Sequence, residues 1–123
     1  MSNVGTLSVR VFTSRAELPI EGATVVVTQK DESGRQELLS LQITDSSGQI
    51  KPISIPAPAP GTDPPFIQCS VWAEHEGFSM LQVEGVQIFP GVETLQDMRL
   101  IPLNVGENSL QQRDIRDVSV QDL

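Results

Sequence analysis

Residues 19–27, Pro-Ile-Glu-Gly-Ala-Thr-Val-Val-Val, constrain the fold of this chain more than any other stretch. Pro19 fixes one backbone angle of a turn and Gly22 frees another, and Val25, Val26 and Val27 follow as a β-branched run. Side chains stiff at χ1 suit a pleated strand better than a helix. A second turn, Thr44-Asp45-Ser46-Ser47-Gly48, falls about one hairpin later. Turns of this kind between short apolar runs predict a sheet protein assembled from hairpins.

The alternation along the chain supports that reading. Leu7, Val9 and Val11 share one face and Thr6, Ser8 and Arg10 the other, the period-two pattern of a half-buried strand. Ala23, Val25 and Val27 form the inner face of the next strand. Val26 on its outer face, between Thr24 and Thr28, predicts a central strand covered in part on both sides. Lys30 to Arg35 is a charged turn ending near Gly34, and residues 37–44 continue with Leu39, Leu41 and Ile43 alternating with Leu38, Ser40, Gln42 and Thr44. Ile50 to Ile55 is a short strand interrupted by Pro52, which places it at a sheet edge because proline donates nothing to a ladder.

Residues 56–65 contain five prolines and read as a stiff crossing from one sheet to the other. Ile67, Cys69, Val71 and Ala73 then alternate with Gln68, Ser70, Trp72 and Glu74, turning Cys69 inward and Trp72 outward. A strand within Phe78–Phe89 carries Val86 and Ile88 on one face. A last one, from about Thr94 to Leu103, carries Met98 and Leu100 inward and Asp97 and Arg99 outward. The expected fold is all-β: a seven-stranded Greek-key sandwich over residues 4–103, followed by an irregular polar tail over 104–123, disordered or docked. Nine glycines and nine prolines in 123 residues agree with many turns and short strands, and the length suffices for one core without metals or disulfides.

Three motifs in this order, Pro19-x-x-Gly22-Ala23-x-Val25, Thr44-Asp45-x-x-Gly48 and Gly77-Phe78, resemble the carboxypeptidase regulatory-like domains of the transthyretin (prealbumin-like) superfamily. The resemblance spans residues 4–103 and implies an Ig-like sandwich with a non-catalytic accessory or binding role. Stand-alone bacterial members of this type are often spore-associated, which the resemblance extends to this chain as an expectation. It also brings two chemistries to weigh. Related enzymes that cleave hydroxyisourate use several histidines and a Tyr-Arg-Gly-Ser-like ending, whereas this chain has His75 alone and finishes Val120-Gln121-Asp122-Leu123. Pilin-type relatives join a first-strand lysine to an asparagine, whereas the lysines here are Lys30 and Lys51, in or beside turns.

No catalytic, cofactor-binding or metal-binding residue is expected. Glu74-His75-Glu76 has metal-ligand types, but neighbouring residues of a strand point to opposite faces. Asp31, Glu32, Asp45 and Asp63 sit in loops, at spacings unlike an EF-hand. Cys69 lacks the basic, exposed setting of a nucleophile. A net charge of −8 excludes nucleic acid and anionic membrane as natural partners. With no signal-like start and a single cysteine, the expected location is cytoplasmic. What remains is surface recognition: a protein partner or self-association, with Phe12, Trp72 and Phe89 as the candidate aromatic surface. A carbohydrate- or peptidoglycan-binding face on those outward aromatics is the alternative.

Overall fold

In the computed structural model, which describes residues 3–31, 33–103 and 114–117, the alternating runs become strands in two packed sheets. β1 (Val4–Thr13) is the middle of a three-stranded sheet, antiparallel to β4 (Ile53–Pro56) and parallel to β7 (Glu93–Leu100). The second sheet has the order β3-β2-β5-β6-β8, from β2 (Thr24–Lys30), β3 (Gln36–Ile43), β5 (Ile67–Glu74), β6 (Leu81–Ile88) and β8 (Asp114–Asp117). Seven strands between Val4 and Leu100 make the expected sandwich. β8 falls inside the segment expected to be irregular and runs parallel to β6 along its outer side; the rest of 104–123 lies outside the described residues.

The inner faces of β1, β2, β5 and β7 are those the alternation predicts. Leu7, Val9 and Val11 of β1 and Met98 and Leu100 of β7 meet Val25 and Val27 of β2 and Cys69, Val71 and Ala73 of β5. All are buried, and each Val or Leu removed from water contributes roughly 1.5–3 kcal/mol. In β6 the buried set shifts phase, from Leu81 and Val83 to Val86 and Ile88. Gly85, at φ +76°, absorbs the extra residue, and the β5–β6 register jumps between Cys69 and Val71. A glycine in the left-handed region permits such a bulge without steric penalty.

β4 sits at an edge, directly after Pro52, as a proline-bounded strand should. The proline-rich loop after it carries the chain from the three-stranded sheet to the five-stranded one. The two signature turns, far apart in sequence, are pinned together. The buried Thr44 accepts from the Ala23 N–H through Oγ1 (2.9 Å) and donates from the same hydroxyl to the Ile20 carbonyl (2.6 Å). Its backbone N–H donates to the Ala23 carbonyl (2.9 Å), and its carbonyl accepts from the Gly22 N–H (3.1 Å). Beside it, Asp45 Oδ1 accepts from the N–H groups of Ser47 (2.9 Å) and Gln49 (3.0 Å), and Gly48 turns at φ +74° against the Val11 carbonyl.

Candidate functional site: the outer face of the five-stranded sheet

The register of β3, β2 and β5 lines up an apolar row on the solvent side. Val26 pairs with Leu41 on one neighbour and with Trp72 on the other. Strands lie about 4.8 Å apart, so these three side chains stand shoulder to shoulder. One row along, Ile43 pairs with Thr24; one row the other way, Leu38 pairs with Thr28. Leu41 is 60% exposed, Ile43 58% and Trp72 38%. The outcome is a contiguous apolar patch of Leu38, Leu41, Ile43, Val26 and Trp72, bordered by the Thr24, Thr28, Ser70 and Gln82 positions. Scattered surface leucines need no explanation, but a contiguous patch on one sheet face is a recognised mark of a docking surface.

β3 contributes most of this patch, and the alternation misassigned it. A register irregularity between Val27 and Thr28 leaves Leu39 as an extra residue of β3. Leu39 turns toward the core, Leu38, Leu41 and Ile43 turn outward, and Ser40 and Gln42 face the sandwich interior. There the Gln42 amide donates to the Lys51 carbonyl (3.0 Å) and accepts from the Lys51 N–H (2.9 Å). The signal available in the sequence is the density of Leu38-Leu39-Ser40-Leu41-Gln42-Ile43, which is too apolar for a strand with one buried face.

The three aromatic residues expected to form one surface are separated. Trp72 lies on the patch just described. Phe12, expected at solvent, is 4% exposed on the outer side of the other sheet. It is covered by guanidinium groups: Arg10 and Arg99 stand 5.1 and 5.0 Å from its ring centroid. Arg10 also donates to Asp97 (3.1 Å) and Arg99 to Glu17 (3.4 Å), so both cations are held in place over the ring. Cation–π contact and the burial of a phenyl ring by long polar stems explain the correction. Phe89 is half-buried, tilted against Phe66 at 5.4 Å, beneath the end of the proline loop.

The titratable groups weighed for chemistry are built into turns or core. His75 Nδ1 lies 2.8 Å from the Glu76 carbonyl, its ring edge-on to Phe78. Burial pushes the Cys69 thiol from 9.0 up to about 11, leaving it protonated at neutral pH. Asp31 Oδ1 accepts from the Ser33 hydroxyl (2.7 Å) and from the N–H groups of Ser33 and Arg35 (both 2.9 Å), bonds that hold its carboxyl below the ordinary 3.8. Glu32 lies outside the described residues. Among the described residues no three His, Cys, Asp or Glu side chains gather as a metal site would require. A cavity of about 280 Å³ opens beside Phe12, lined by Arg10, Glu17, Pro19, Ser47 and Gln49.

No protein-family model matches the chain, and no curated protein matches it by sequence. Solved structures do. The 5-hydroxyisourate hydrolase of Klebsiella pneumoniae superposes with a TM-score of 0.57 at 19% identity, over 81% of this chain and 92% of that one. The shaft pilin SpaA of Lactobacillus rhamnosus GG superposes with a TM-score of 0.54 at 11% identity, over 85% of this chain and 49% of the pilin, so this chain spans about half its length. The C-terminal domain of the same pilin matches over 98% of its length at 10% identity, with a TM-score of 0.52. An enzyme and a structural pilin thus share one scaffold, and identities this low carry the scaffold alone. This chain has a transthyretin-like β-sandwich fold.

Proposed function

We propose that the chain is a non-catalytic protein-interaction module of the carboxypeptidase regulatory-like type, which binds through the outer face of its five-stranded sheet. The observation that carries this reading is the Leu41–Val26–Trp72 row, flanked by Leu38 and Ile43 and open to solvent. An apolar centre with a polar border is the anatomy of a recognition surface, and tryptophan, which ends the row on β5, is among the residue types most enriched in energetic anchors. The side chains that hydrolytic chemistry would call on support the same reading. The one histidine packs against Phe78, and the one cysteine is buried and protonated. The order of the three turn motifs supports the subtype.

The test is affinity capture from the native cell with the wild-type chain and with Trp72→Glu. The expected result is a partner held by the wild type and lost by the variant, with the variant's unfolding midpoint unchanged. Equal capture by both would remove the face from the account. A sugar-binding role is the second reading, favoured by the partial exposure of Trp72 on a flat sheet. Titration with peptidoglycan fragments while following the fluorescence of Trp72, the only tryptophan, decides it. An unmoved spectrum removes that reading.

A further inference from the structure

We propose that β3 is an open pairing edge that takes β3 of a second copy of this chain, antiparallel across a two-fold axis beside Gln42. The inference rests on the interaction reading above, but it uses the strand's edge where that reading uses the sheet's face.

Among the described residues the other edge strands are short or lie against a strand of the facing sheet. β4 is four residues long, with Pro52 before it and Pro56 as its last residue. β8 covers the side of β6 and is itself an edge of only four residues. β7 lies against β6 at the corner between the sheets, where the Thr94 hydroxyl donates to the Gln87 carbonyl at 3.4 Å. β3 has eight residues, with no proline and no lysine, and residues 38–43 carry no charge. Apart from its ladder to β2, its backbone makes no further backbone hydrogen bond among the described residues. Proteins ordinarily blunt a strand of this kind with proline, lysine or a covering segment.

The ladder shows which groups are free. The Thr44 N–H donates to the Ala23 carbonyl, so the antiparallel alternation turns Gln42 toward β2. Leu41 and Ile43 then point their N–H and C=O groups away from β2, and among the described residues those groups make no other backbone bond. The irregularity at Leu39 bends the first half of the strand and leaves Ser40 to Ile43 regular. An antiparallel copy centred on Gln42 sets Leu41 opposite Ile43 of the second chain, and Ile43 opposite its Leu41. Each of these two pairs closes two N–H···O=C bonds with the groups just named. The same register puts the four exposed Leu and Ile side chains side by side on one face, where cross-strand apolar pairs add stability.

The strand is therefore self-complementary, which is what a two-fold contact needs. Its uncharged stretch is also where two copies of a chain of net charge −8 can approach with least repulsion. The contact is narrow, at the small end of specific interfaces, so the dimer forms with a Kd on the order of micromolar.

Sedimentation equilibrium of the full chain from micromolar to millimolar concentration tests this, together with amide hydrogen exchange and acrylamide quenching of Trp72. The expected result is a rise from 13.4 kDa toward twice that mass. The Leu41 and Ile43 amides should gain protection as it rises. Quenching of Trp72 should stay constant, because Trp72 lies two strands from the edge, about 10 Å away. Leu41→Pro removes an outward N–H and no bond to β2, and should weaken the dimer by about tenfold or more. Leu41→Lys should do the same through charge. A monomer at every concentration overturns the proposal. So does a dimer indifferent to both substitutions, or one that shields Trp72 while the Leu41 and Ile43 amides exchange freely. A monomeric chain that still captures a partner through Trp72 leaves the interaction reading standing without this one.

Discussion

At the scale of single residues, Thr44 does more for the fold than its size suggests. Its hydroxyl satisfies a buried N–H of one turn and a buried carbonyl of the same turn's start, joining positions 21 and 24 residues apart. Thr44→Val keeps the shape and strands both groups, so urea unfolding should show a loss of about 3 kcal/mol, most of it restored by Thr44→Ser. Gly48 is as constrained, since an added Cβ would overlap the Val11 carbonyl at a backbone angle that L-residues avoid. Cys69 gives a prediction in pH. Its folded pKa is raised from 9.0 to about 11, so the folded chain holds the proton that the unfolded chain releases. Its contribution is complete below pH 9.0 and fades as the pH rises through about 11. Wild type should therefore lose more stability than Cys69→Ala between neutral pH and that window. Thiol reagents should modify Cys69 only as fast as the chain opens.

At the scale of elements, the β2–β3 hairpin and the arginine-covered strand β1 behave differently toward acid and truncation. The Asp31 turn is held by bonds to an ionised carboxylate, so its contribution is present above pH 3.8 and is lost as the pH falls below that through the lowered folded value. Asp31→Ala should flatten the acid limb of the unfolding midpoint. On the three-stranded sheet, Arg10→Ala and Arg99→Ala each uncover part of Phe12. Each should cost about 0.5–1 kcal/mol by chemical unfolding, mostly through the ring contact, since exposed ion pairs contribute little. β3 is the element where pattern and structure part. Strict alternation groups Leu39 with Leu41 and Ile43, and a single extra residue opposite β2 reverses that grouping for Leu39. A bulge arises from how two strands meet, so the sequence of one strand does not announce it.

At the scale of the whole molecule, charge and shape act in opposite senses. A pI near 4.4 and a charge of −8 keep copies apart in dilute buffer. In the proposed dimer the uncharged edge of β3 opposes that repulsion with backbone hydrogen bonds and apolar contact. Salt screens the repulsion and leaves those contacts intact, so raising ionic strength should strengthen self-association. Sedimentation at low and high salt checks the sign; a dimer held by ion pairs would weaken instead. The transthyretin-like sandwich accommodates such surfaces because its core needs only the inner faces, leaving the outer faces and edges free to vary.

The sequence by itself determined the all-β class, the seven strands of the sandwich, the inward residues of β1, β2, β5 and β7, the edge position of β4 and the outward side of Trp72. All of these follow from local rules: period-two alternation, proline without a donor, glycine where a turn needs it. Only the tertiary structure decided that Thr44 pins Ile20 and Ala23, that two arginines close over Phe12, and that Leu38, Leu41 and Ile43 join Val26 and Trp72 in one patch. Each of those depends on which strands become neighbours and in what register. Contacts between residues distant in sequence fix that, and no local pattern encodes it.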